Sequence, residues 1–458
     1  MKKMSKRNQR SIVPEFALEI CTHRKPTRAH EEIFFRSDQK FDRARRVYLV
    51  PIEYLRFRKD NGRIASDVLT YEARKGVLNE TSDYGQSVLR GFLARKDPEK
   101  TSELKNSILK YGQLHNAVIT ADGFLINGNR RKLVLDDLYE KHPNSKRFRY
   151  LKVVILPGFD DDERPPTQKE IEQIENRYQL QTLGRAEYYN FDKAISIKRK
   201  IENGFSLVEQ LRDDPNYASL NRKEFRRALR QFEEEYLEPL NCVDRYLYLF
   251  DRPAHYNTIS EGRSDSRGRW QAFLDYYKST YKKMSNTEKR KKLNLTRKEV
   301  ESVEHIAFVI IRKRELTGLN KKVHQIMREL PKLLLNPSSK KELFKLKDKK
   351  KFILTKEEIV DGVGHRLDES TKDIIWNSKY GNLIAETVTR AYAALEIKQT
   401  QDTPLVLLSS SLAKLNNRGL DLSNIKKSRW GEALEVIKEI ETRIRALEQQ
   451  LRSLGKNM

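Results

Sequence analysis

The sequence predicts a small α+β domain near the N-terminus, followed by mainly α-helical domains and a C-terminal coiled-coil helix. Short apolar strand-like segments alternate with helical segments between residues 46 and 157. The pattern becomes helical from Thr167, and an apolar seven-residue repeat begins at Trp430. The predicted divisions are a flexible basic arm (1–45), an α+β domain (46–166), a helical domain with a helix-turn-helix-like unit (167–255), a basic helical region (256–355), a helical region without an assigned role (356–429) and the coiled-coil helix (430–458).

The composition indicates a protein that binds a polyanion. Its 458 residues include 91 Lys and Arg and 65 Asp and Glu, which gives a formal net charge of +26. Such basicity suits nucleic acid or an anionic membrane, but the sequence has no run of 18 apolar residues and no apolar segment after its basic start. We therefore expect a cytoplasmic protein with no membrane partner. Because Cys21 and Cys242 are the only cysteines, neither a disulfide framework nor a structural zinc site is expected.

One short segment predicts a phosphate-binding elbow. Asp122-Gly123 is typical of a two-residue hairpin turn, so the residues after it should form a second strand. That strand leads to Gly128, which lets backbone N–H groups at a helix start approach an anion. Arg130 and Arg131 follow at the positive end of the helix dipole, where cations are disfavoured unless a ligand neutralises them. The segment therefore predicts an anionic ligand.

The elbow and its surroundings resemble a known family. Residues 122–133 resemble the G-x-R-R strand-to-helix signature of ParB-type partition proteins and their ParB/sulfiredoxin-fold relatives. Residues 51–55 are similar to the family's opening strand, residues 104–112 to its first helix, and residues 174–176 to its E-N motif. The resemblance covers roughly residues 46–250 and implies a ParB/sulfiredoxin-like nucleotide-binding domain followed by a helical DNA-reading domain.

The resemblance also implies a set of site residues. In the family the paired arginines hold a nucleoside triphosphate, and the E-N side chains help to hold its magnesium. Glu175 and Asn176 would thus offer the hard oxygen ligands that Mg²⁺ prefers, beside CTP or ATP. The nucleotide-binding residues implied by position are Gly112, Gln113, Gly128, Asn129, Arg130 and Arg131.

The chain departs from the family pattern at several places. Residues 63–98 look like an insertion between the opening strand and the first helix, and residues 56–63 stand where the family has a P-N-P-x-Q-P-R element. Gln179 occupies the position of an expected arginine, so that Arg177 or Arg185 would have to replace it. The elbow has no cysteine, and sulfiredoxin chemistry is therefore not expected.

Two helix-start signals predict the helix-turn-helix-like unit. Ser206 and Asn221 both have the spacing of a capping box. The second helix places Phe225, Leu229 and Phe232 on one face, and basic residues lie beside it. An ordinary amphipathic helix with a solvated basic face is the alternative. The residues predicted to contact DNA are Arg222, Lys223, Arg226, Arg227 and Arg230.

Two further features concern charge and assembly. Residues 281–352 contain 22 Lys and Arg and 8 Asp and Glu, an excess of 14 within the total of +26. This excess indicates phosphate contacts or a solubilising surface. In the C-terminal repeat, Trp430, Ile437, Ile444 and Leu451 alternate with Ala433, Ile440, Leu447 and Leu454. Isoleucine and leucine at the two core positions predict a parallel coiled coil and hence a homodimer, the alternative being a helix that docks on its own chain.

The leading functional hypothesis is a ParB-like DNA-binding protein with a nucleoside triphosphate switch site. It would act in DNA partition, plasmid or phage maintenance, or regulation, and would associate with the nucleoid. The enzymatic alternative is a ParB-fold metal-dependent nuclease or a slow CTPase or ATPase, in the setting of anti-phage defence, with Glu175 catalytic through a bound metal and Asp122 as a weaker candidate. A third alternative is an adaptor that has lost nucleotide binding and recruits a protein partner through its coiled coil.

Overall fold

The structure is a computed structural model that describes residues 10–36, 44–157, 164–180, 190–260, 269–316, 319–348, 350–361, 365–417 and 420–455. They belong to two compact units, residues 1–391 and residues 392–458. The first unit contains a small sheet and most of the helices, and the second is helical.

The sheet lies in the N-terminal part of the first unit. Its order is β1-β2-β5-β3-β4, in which β3 and β5 are parallel and the other neighbours are antiparallel. The mixed sheet and the surrounding helices confirm an α+β N-terminal region followed by helical regions. The strands are β1 (Lys25–Glu32), β2 (Ala44–Pro51), β3 (Ala117–Thr120), β4 (Leu125–Asn127) and β5 (Tyr150–Leu156).

The helices account for most of the remaining described chain. In the first half of the sequence they are α1 (Pro14–His23), α2 (Ala65–Lys75), α3 (Asp83–Arg95), α4 (Pro98–Tyr111), α5 (Asn129–Lys141), α6 (Gln168–Leu180), α7 (Asn190–Glu202), α8 (Leu207–Arg212), α9 (Pro215–Ala218) and α10 (Arg222–Phe232). They continue with α11 (Glu238–Leu249), α12 (Asn257–Ser260), α13 (Trp270–Tyr276), α14 (Lys282–Met284), α15 (Thr287–Lys292), α16 (Glu299–Lys313), α17 (Val323–Leu335), α18 (Pro337–Leu343), α19 (Glu369–Leu415) and α20 (Trp430–Gly455).

The two faces of the sheet are covered by different helices. On one face, β3 and β5 pack through Ile119 and Val153 against buried residues of α3, α4 and α5, including Leu133 of α5. On the other face, Val118 and its neighbours pack against α6, whose contribution includes Ile174. Helix α6 contacts β4, the strand at one edge of the sheet, and α5 begins two residues after β4. This three-layer arrangement brings the start of α5 and helix α6 to that edge.

Two sequence-based expectations about the N-terminal region are wrong. The described part of the predicted arm is not flexible, because residues 14–32 form α1 and β1, and β1 pairs with β2. Most side chains of β1 are exposed, so it lacks the apolar alternation that marks a strand in sequence. The expected opening strand at residues 51–55 is instead the end of β2 at Pro51 followed by a 3₁₀ turn, Ile52–Tyr54. The insertion 63–98 contains α2 and α3.

The helical part of the first unit contains a buried charged cluster. The guanidinium groups of Arg252, Arg269 and Arg312 all contact the carboxylate of Asp373, at 2.7, 2.8 and 3.2 Å. Although burial alone would raise it, these cations hold the pKa of Asp373 well below its usual value. Residues distant in sequence are therefore fixed around a single carboxylate.

The second unit ends in α20, which carries the predicted repeat. The apolar side chains at Trp430, Ile437, Ile444 and Leu451 are 46–62 % exposed. Helix formation over the repeat is confirmed, whereas pairing with a second copy stays a prediction. Among the described residues, no helix is both long and apolar enough to cross a membrane.

Candidate nucleotide site and nucleic-acid interface

The predicted elbow forms as a hairpin that leads into a helix. The N–H of Gly123 donates to the carbonyl of Thr120 at 2.9 Å, which closes the turn between β3 and β4. Gly128 follows β4 with φ = 100°, and α5 begins at the next residue. A Cβ atom on Gly128 would lie 2.5 Å from the Cβ of Ala117, so both the backbone angle and the packing require glycine there.

The start of α5 is suited to an anion. Gly128 offers no side-chain cap, and the first turn of α5 contains no acidic residue. The N–H groups of this turn therefore lack the usual carboxylate or hydroxyl partner, at the positive end of the helix dipole. The same turn carries Arg130 and Arg131, as the sequence predicts.

A cavity of about 660 Å³ lies at this helix start. It is bounded by the elbow, by the end of α4, by the 61–63 segment and by α6. Of the predicted site residues, Asn176 does not line it. Those that do are Gly112, Gln113, Gly128, Asn129, Arg130, Arg131 and Glu175.

Two polar groups in the cavity wall have buried atoms without a hydrogen-bond partner among the described residues. These atoms are Nδ2 of Asn127 and Oδ1 of Asn129. Both atoms are shielded from solvent, so they mark tight packing of the elbow beside the cavity and not a contact point for a ligand.

The arginines of the elbow are held by nearby acceptors. Asp97 lies directly before α4 in a left-handed conformation with φ = 49°. Its Oδ2 atom is 2.7 Å from Nη2 of Arg130 and 3.2 Å from Nη1 of Arg63. Arg131 donates to the carbonyl of His115. The guanidinium groups are thus oriented at the cavity wall.

Gly112 and Gln113 shape the opposite wall. Gly112 ends α4 with φ = 77°. The Gln113 side chain donates to the carbonyl of Tyr150 at 2.5 Å and accepts from the N–H of Lys152 at 2.8 Å. Gln113 therefore joins the end of α4 to β5, and its side-chain amide is occupied by these two hydrogen bonds.

Glu175 lies between the cavity and a buried arginine. Its carboxylate forms an ion pair with Arg58 and accepts the N–H of Gly62 at 3.0 Å. Burial alone would lower the pKa of Arg58, but Glu175 raises it above the usual value, so the guanidinium stays charged. The sequence did not identify Arg58 as a partner, because the two residues lie 117 positions apart.

Asn176 is also occupied by protein groups. It accepts a hydrogen bond from Nζ of Lys200 at 3.0 Å and donates to the carbonyl of Gln210 at 3.3 Å. Within the described ranges, no group of three or more His, Cys, Asp or Glu side chains could hold a metal ion. Both side chains are thus engaged by protein groups, and of the two only Glu175 lines the cavity.

Other candidates from the sequence have structural roles. The buried carboxylate of Asp122 accepts from Nη1 of Arg10 at 2.9 Å and from the hydroxyl of Thr120 at 2.5 Å. Arg177 forms an ion pair with Asp213, outside the cavity wall, and Arg185 falls outside the described residues. The cations that sequence reasoning missed at the cavity are Arg63 and Lys100.

In the region of the expected helix-turn-helix-like unit, α7, α8, α9 and α10 follow one another, and both predicted caps form. Both side chains of the Ser206 capping box make their bonds at the start of α8. Asn221 caps α10 by accepting the N–H groups of Lys223 and Glu224, at 3.0 and 2.9 Å. Arg212 of α8 stacks over the ring of Phe225, 3.6 Å from its centroid.

The predicted DNA-contacting face of α10 is exposed. Phe225 is buried, whereas Arg222, Lys223, Arg226, Arg227 and Arg230 are all exposed. One side of the helix thus packs on the domain, and the other presents five cations to solvent. This distribution is what contact with phosphates requires, and a solvated basic face has it as well.

In comparisons with known proteins, no family model, no curated protein and no solved structure matches this chain. The ParB-type resemblance therefore rests on the sequence motifs alone.

Proposed function

We propose that this protein is a ParB-like DNA-binding protein with a nucleoside triphosphate switch site at the elbow. The observation that carries the proposal is the cavity at the start of α5, because it is lined by the residues that the resemblance implies for nucleotide binding. A volume of about 660 Å³ lies within the usual range of small-molecule sites.

The chemistry of the cavity supports a phosphorylated ligand. Phosphate oxygens would accept from the N–H groups of the first turn of α5 and from the guanidinium groups of Arg130 and Arg131. Magnesium enters the proposal as the counter-ion of bound CTP or ATP.

The proposal assigns DNA contact to α10 and dimerisation to α20. The exposed cations of α10 would neutralise phosphates beside the elbow domain. The exposed apolar repeat of α20 would pair with a second copy, as heptad repeats do in two-stranded coiled coils. The proposed setting is DNA partition, plasmid or phage maintenance, or regulation, with the protein associated with the nucleoid.

The position of Glu175 favours binding over catalysis. A general base or metal ligand needs a carboxylate that the substrate can reach. In this structure the carboxylate is engaged by Arg58 and by the N–H of Gly62. The nuclease or NTPase alternative therefore gains no support from the geometry of this residue.

Calorimetric titration tests the nucleotide site. Wild-type protein is titrated with CTP, ATP and GTP in the presence of magnesium, beside an Arg130→Ala/Arg131→Ala variant. Each charge-assisted hydrogen bond contributes about 1.5–3 kcal/mol, so the variant should bind at least 100-fold more weakly. An Arg46→Ala/Arg149→Ala variant is the matched control, because both arginines are exposed and neither lines the cavity.

The titrations distinguish a nucleotide switch from an adaptor. Binding that the elbow variant loses and the control keeps would support the switch site and identify the nucleotide. No binding of any of the three nucleotides by wild-type protein would contradict the proposal and favour an adaptor.

A further inference from the structure

A strongly basic surface lies outside both the elbow and α10. It is formed by exposed cations on α15, on the segment that joins α15 to α16, and on α18 and the turn that follows it. We refer to it as the basic track. Its members are Lys289, Lys291, Lys292, Arg297, Lys341 and Lys345.

Buried leucines hold the track in place. Leu293 and Leu295 are each 5 % exposed, and Leu343 and Leu346 are fully buried. These leucines lie among the cations in both segments, so the backbone that carries the charges is anchored to the core. The charges are therefore attached to fixed elements rather than to a loose tail.

The two segments of the track lie against each other. Nζ of Lys340, on α18, donates to the carbonyl of Asn294 at 2.8 Å and is 2.7 Å from the carboxylate of Glu299. Asn294 lies two residues after Lys292, and Lys340 directly precedes Lys341. The cations before and after α16 in sequence thus belong to one surface.

The track begins close to the end of α10. A π-helical turn, Glu233–Leu237, directly continues α10. Glu234 in this turn is 2.5 Å from Nζ of Lys282, the first residue of α14. Helix α15 follows three residues after α14, so α14 joins the track to the turn after α10, which carries the acidic residues Glu233, Glu234 and Glu235.

Few carboxylates offset these charges. Glu342 pairs with Lys345 and offsets one of the six charges of the track, whereas Glu299 pairs with Lys340, which is not a member of it. The stretch 281–352 has an excess of 14 positive charges, about half of the formal net charge of +26. A concentrated excess of one sign attracts a polyanion and raises its local concentration.

We propose that the basic track binds the phosphate backbone of duplex DNA without regard to sequence, as a second contact beside α10. Duplex DNA is chosen over other polyanions because the Glu234–Lys282 ion pair connects the region of the track to the turn after the proposed DNA-contacting helix, and only this choice rests on the proposed function. Nucleotide binding at the elbow plays no part in it. Each phosphate that the track neutralises releases counterions and steepens the salt dependence of binding.

Fluorescence anisotropy tests the proposal with the full chain, without nucleotide, on two 30-base-pair duplexes of unrelated sequence between 50 and 300 mM salt. The test variant is Lys289→Ala/Lys291→Ala/Lys292→Ala, which removes exposed side chains from one short helix. For each lysine that contacts a phosphate, affinity at 100 mM salt should fall about tenfold on both duplexes, and the slope of log K against log salt should decrease by about 1.

Two further variants make the result specific. Lys426→Ala/Lys427→Ala/Lys438→Ala removes the same charge from exposed positions in the second unit. If it weakens binding as much as the track variant, the effect is one of net charge and the proposal is overturned. Wild-type affinity and slope in the track variant would also overturn it.

The second variant, Arg226→Ala/Arg227→Ala, separates the track from α10. Loss of binding in this variant alone would overturn the track and leave the proposed role of α10 standing. Loss in the track variant alone would support the track and contradict the role of α10. Vesicles containing phosphatidylserine provide the last arm: binding to vesicles but not to either duplex would overturn DNA as the partner.

Discussion

Asp97 should oppose nucleotide binding at the elbow. Its carboxylate contacts Arg130 and Arg63, two of the three arginines that line the cavity. A bound phosphate would therefore lie close to a negative charge. The change Asp97→Asn removes that charge and keeps an oxygen acceptor for the arginines. Asparagine also tolerates the left-handed backbone, since φ at this position is 49°.

The magnitude follows from Coulomb's law. A phosphate that accepts from Arg130 would lie about 6 Å from the Asp97 carboxylate, and two unit charges at that distance repel by about 3 kcal/mol at an effective dielectric constant of about 20. Side chains at this wall are 11–21 % exposed, so solvent screening reduces the effect. We expect a net gain of about 1–2 kcal/mol for the asparagine variant, that is, nucleotide binding about 5–30-fold tighter.

Calorimetric titration with the nucleotide that wild-type protein binds best is the assay. Asp137→Asn is the matched control, because this carboxylate pairs with Arg90 outside the cavity wall and should leave affinity unchanged. The gain in Asp97→Asn should shrink as salt is raised. Equal affinity in wild type and variant, or weaker binding in the variant, would refute the argument from repulsion; weaker binding would show that the carboxylate acts by orienting the arginines.

Three further predictions concern stability and assembly. Gly128→Ala should lower the free energy of unfolding in urea by about 2–4 kcal/mol, since it adds a steric clash to backbone strain. Gly112→Ala adds strain without a clash, because φ is 77° there and the space around it is open, so it should cost less, about 1–3 kcal/mol. A loss in Gly128→Ala no larger than in Gly112→Ala would contradict the packing argument. Asp373→Asn should cost about 3–5 kcal/mol because it leaves three buried guanidinium groups without their shared carboxylate. Because folding lowers the pKa of Asp373, the carboxylate stabilises the fold above its pKa in the unfolded chain, near 4, and this stabilisation is lost as the pH falls below that value. The difference in unfolding free energy between wild type and variant should therefore stay constant from pH 5 to 8 and shrink under about pH 4. A difference that grows on acidification would contradict this. Ile444→Asp should convert a dimer into a monomer in light scattering at micromolar concentration, because a charge at a core heptad position cannot be paired there. Glu441→Gln on the same helix is the control and should leave the dimer intact. A monomeric wild type would refute coiled-coil pairing.

Local features were predictable from the sequence because they depend on residues close in the chain. The hairpin turn at Asp122-Gly123, the glycine before α5 and the helix caps at Ser206 and Asn221 all form where the motifs predict. Each is determined by backbone angles or by a hydrogen bond that spans a few residues. The long repeat of α20 is likewise a helix for local reasons.

The strand β1 shows where such reasoning fails. Its side chains are largely exposed and its sequence has no apolar alternation, so its strand state is due to pairing with β2. Hydrogen bonds to a neighbouring strand overrode weak local propensity. The strand expected at 51–55 came from the family resemblance, and the strand in the structure, β2, lies several residues earlier, where it pairs with β1 and β5.

The sequence by itself determined that Gly128, Arg130 and Arg131 stand together at a helix start, because a glycine followed by two arginines is a local arrangement. Tertiary structure decided which acidic residues meet those cations: Asp97 comes from the end of the inserted segment, and Glu175 is taken by Arg58 from 117 positions away. Ion pairs of this kind depend on how distant elements pack, and packing is a property of the whole core rather than of any motif.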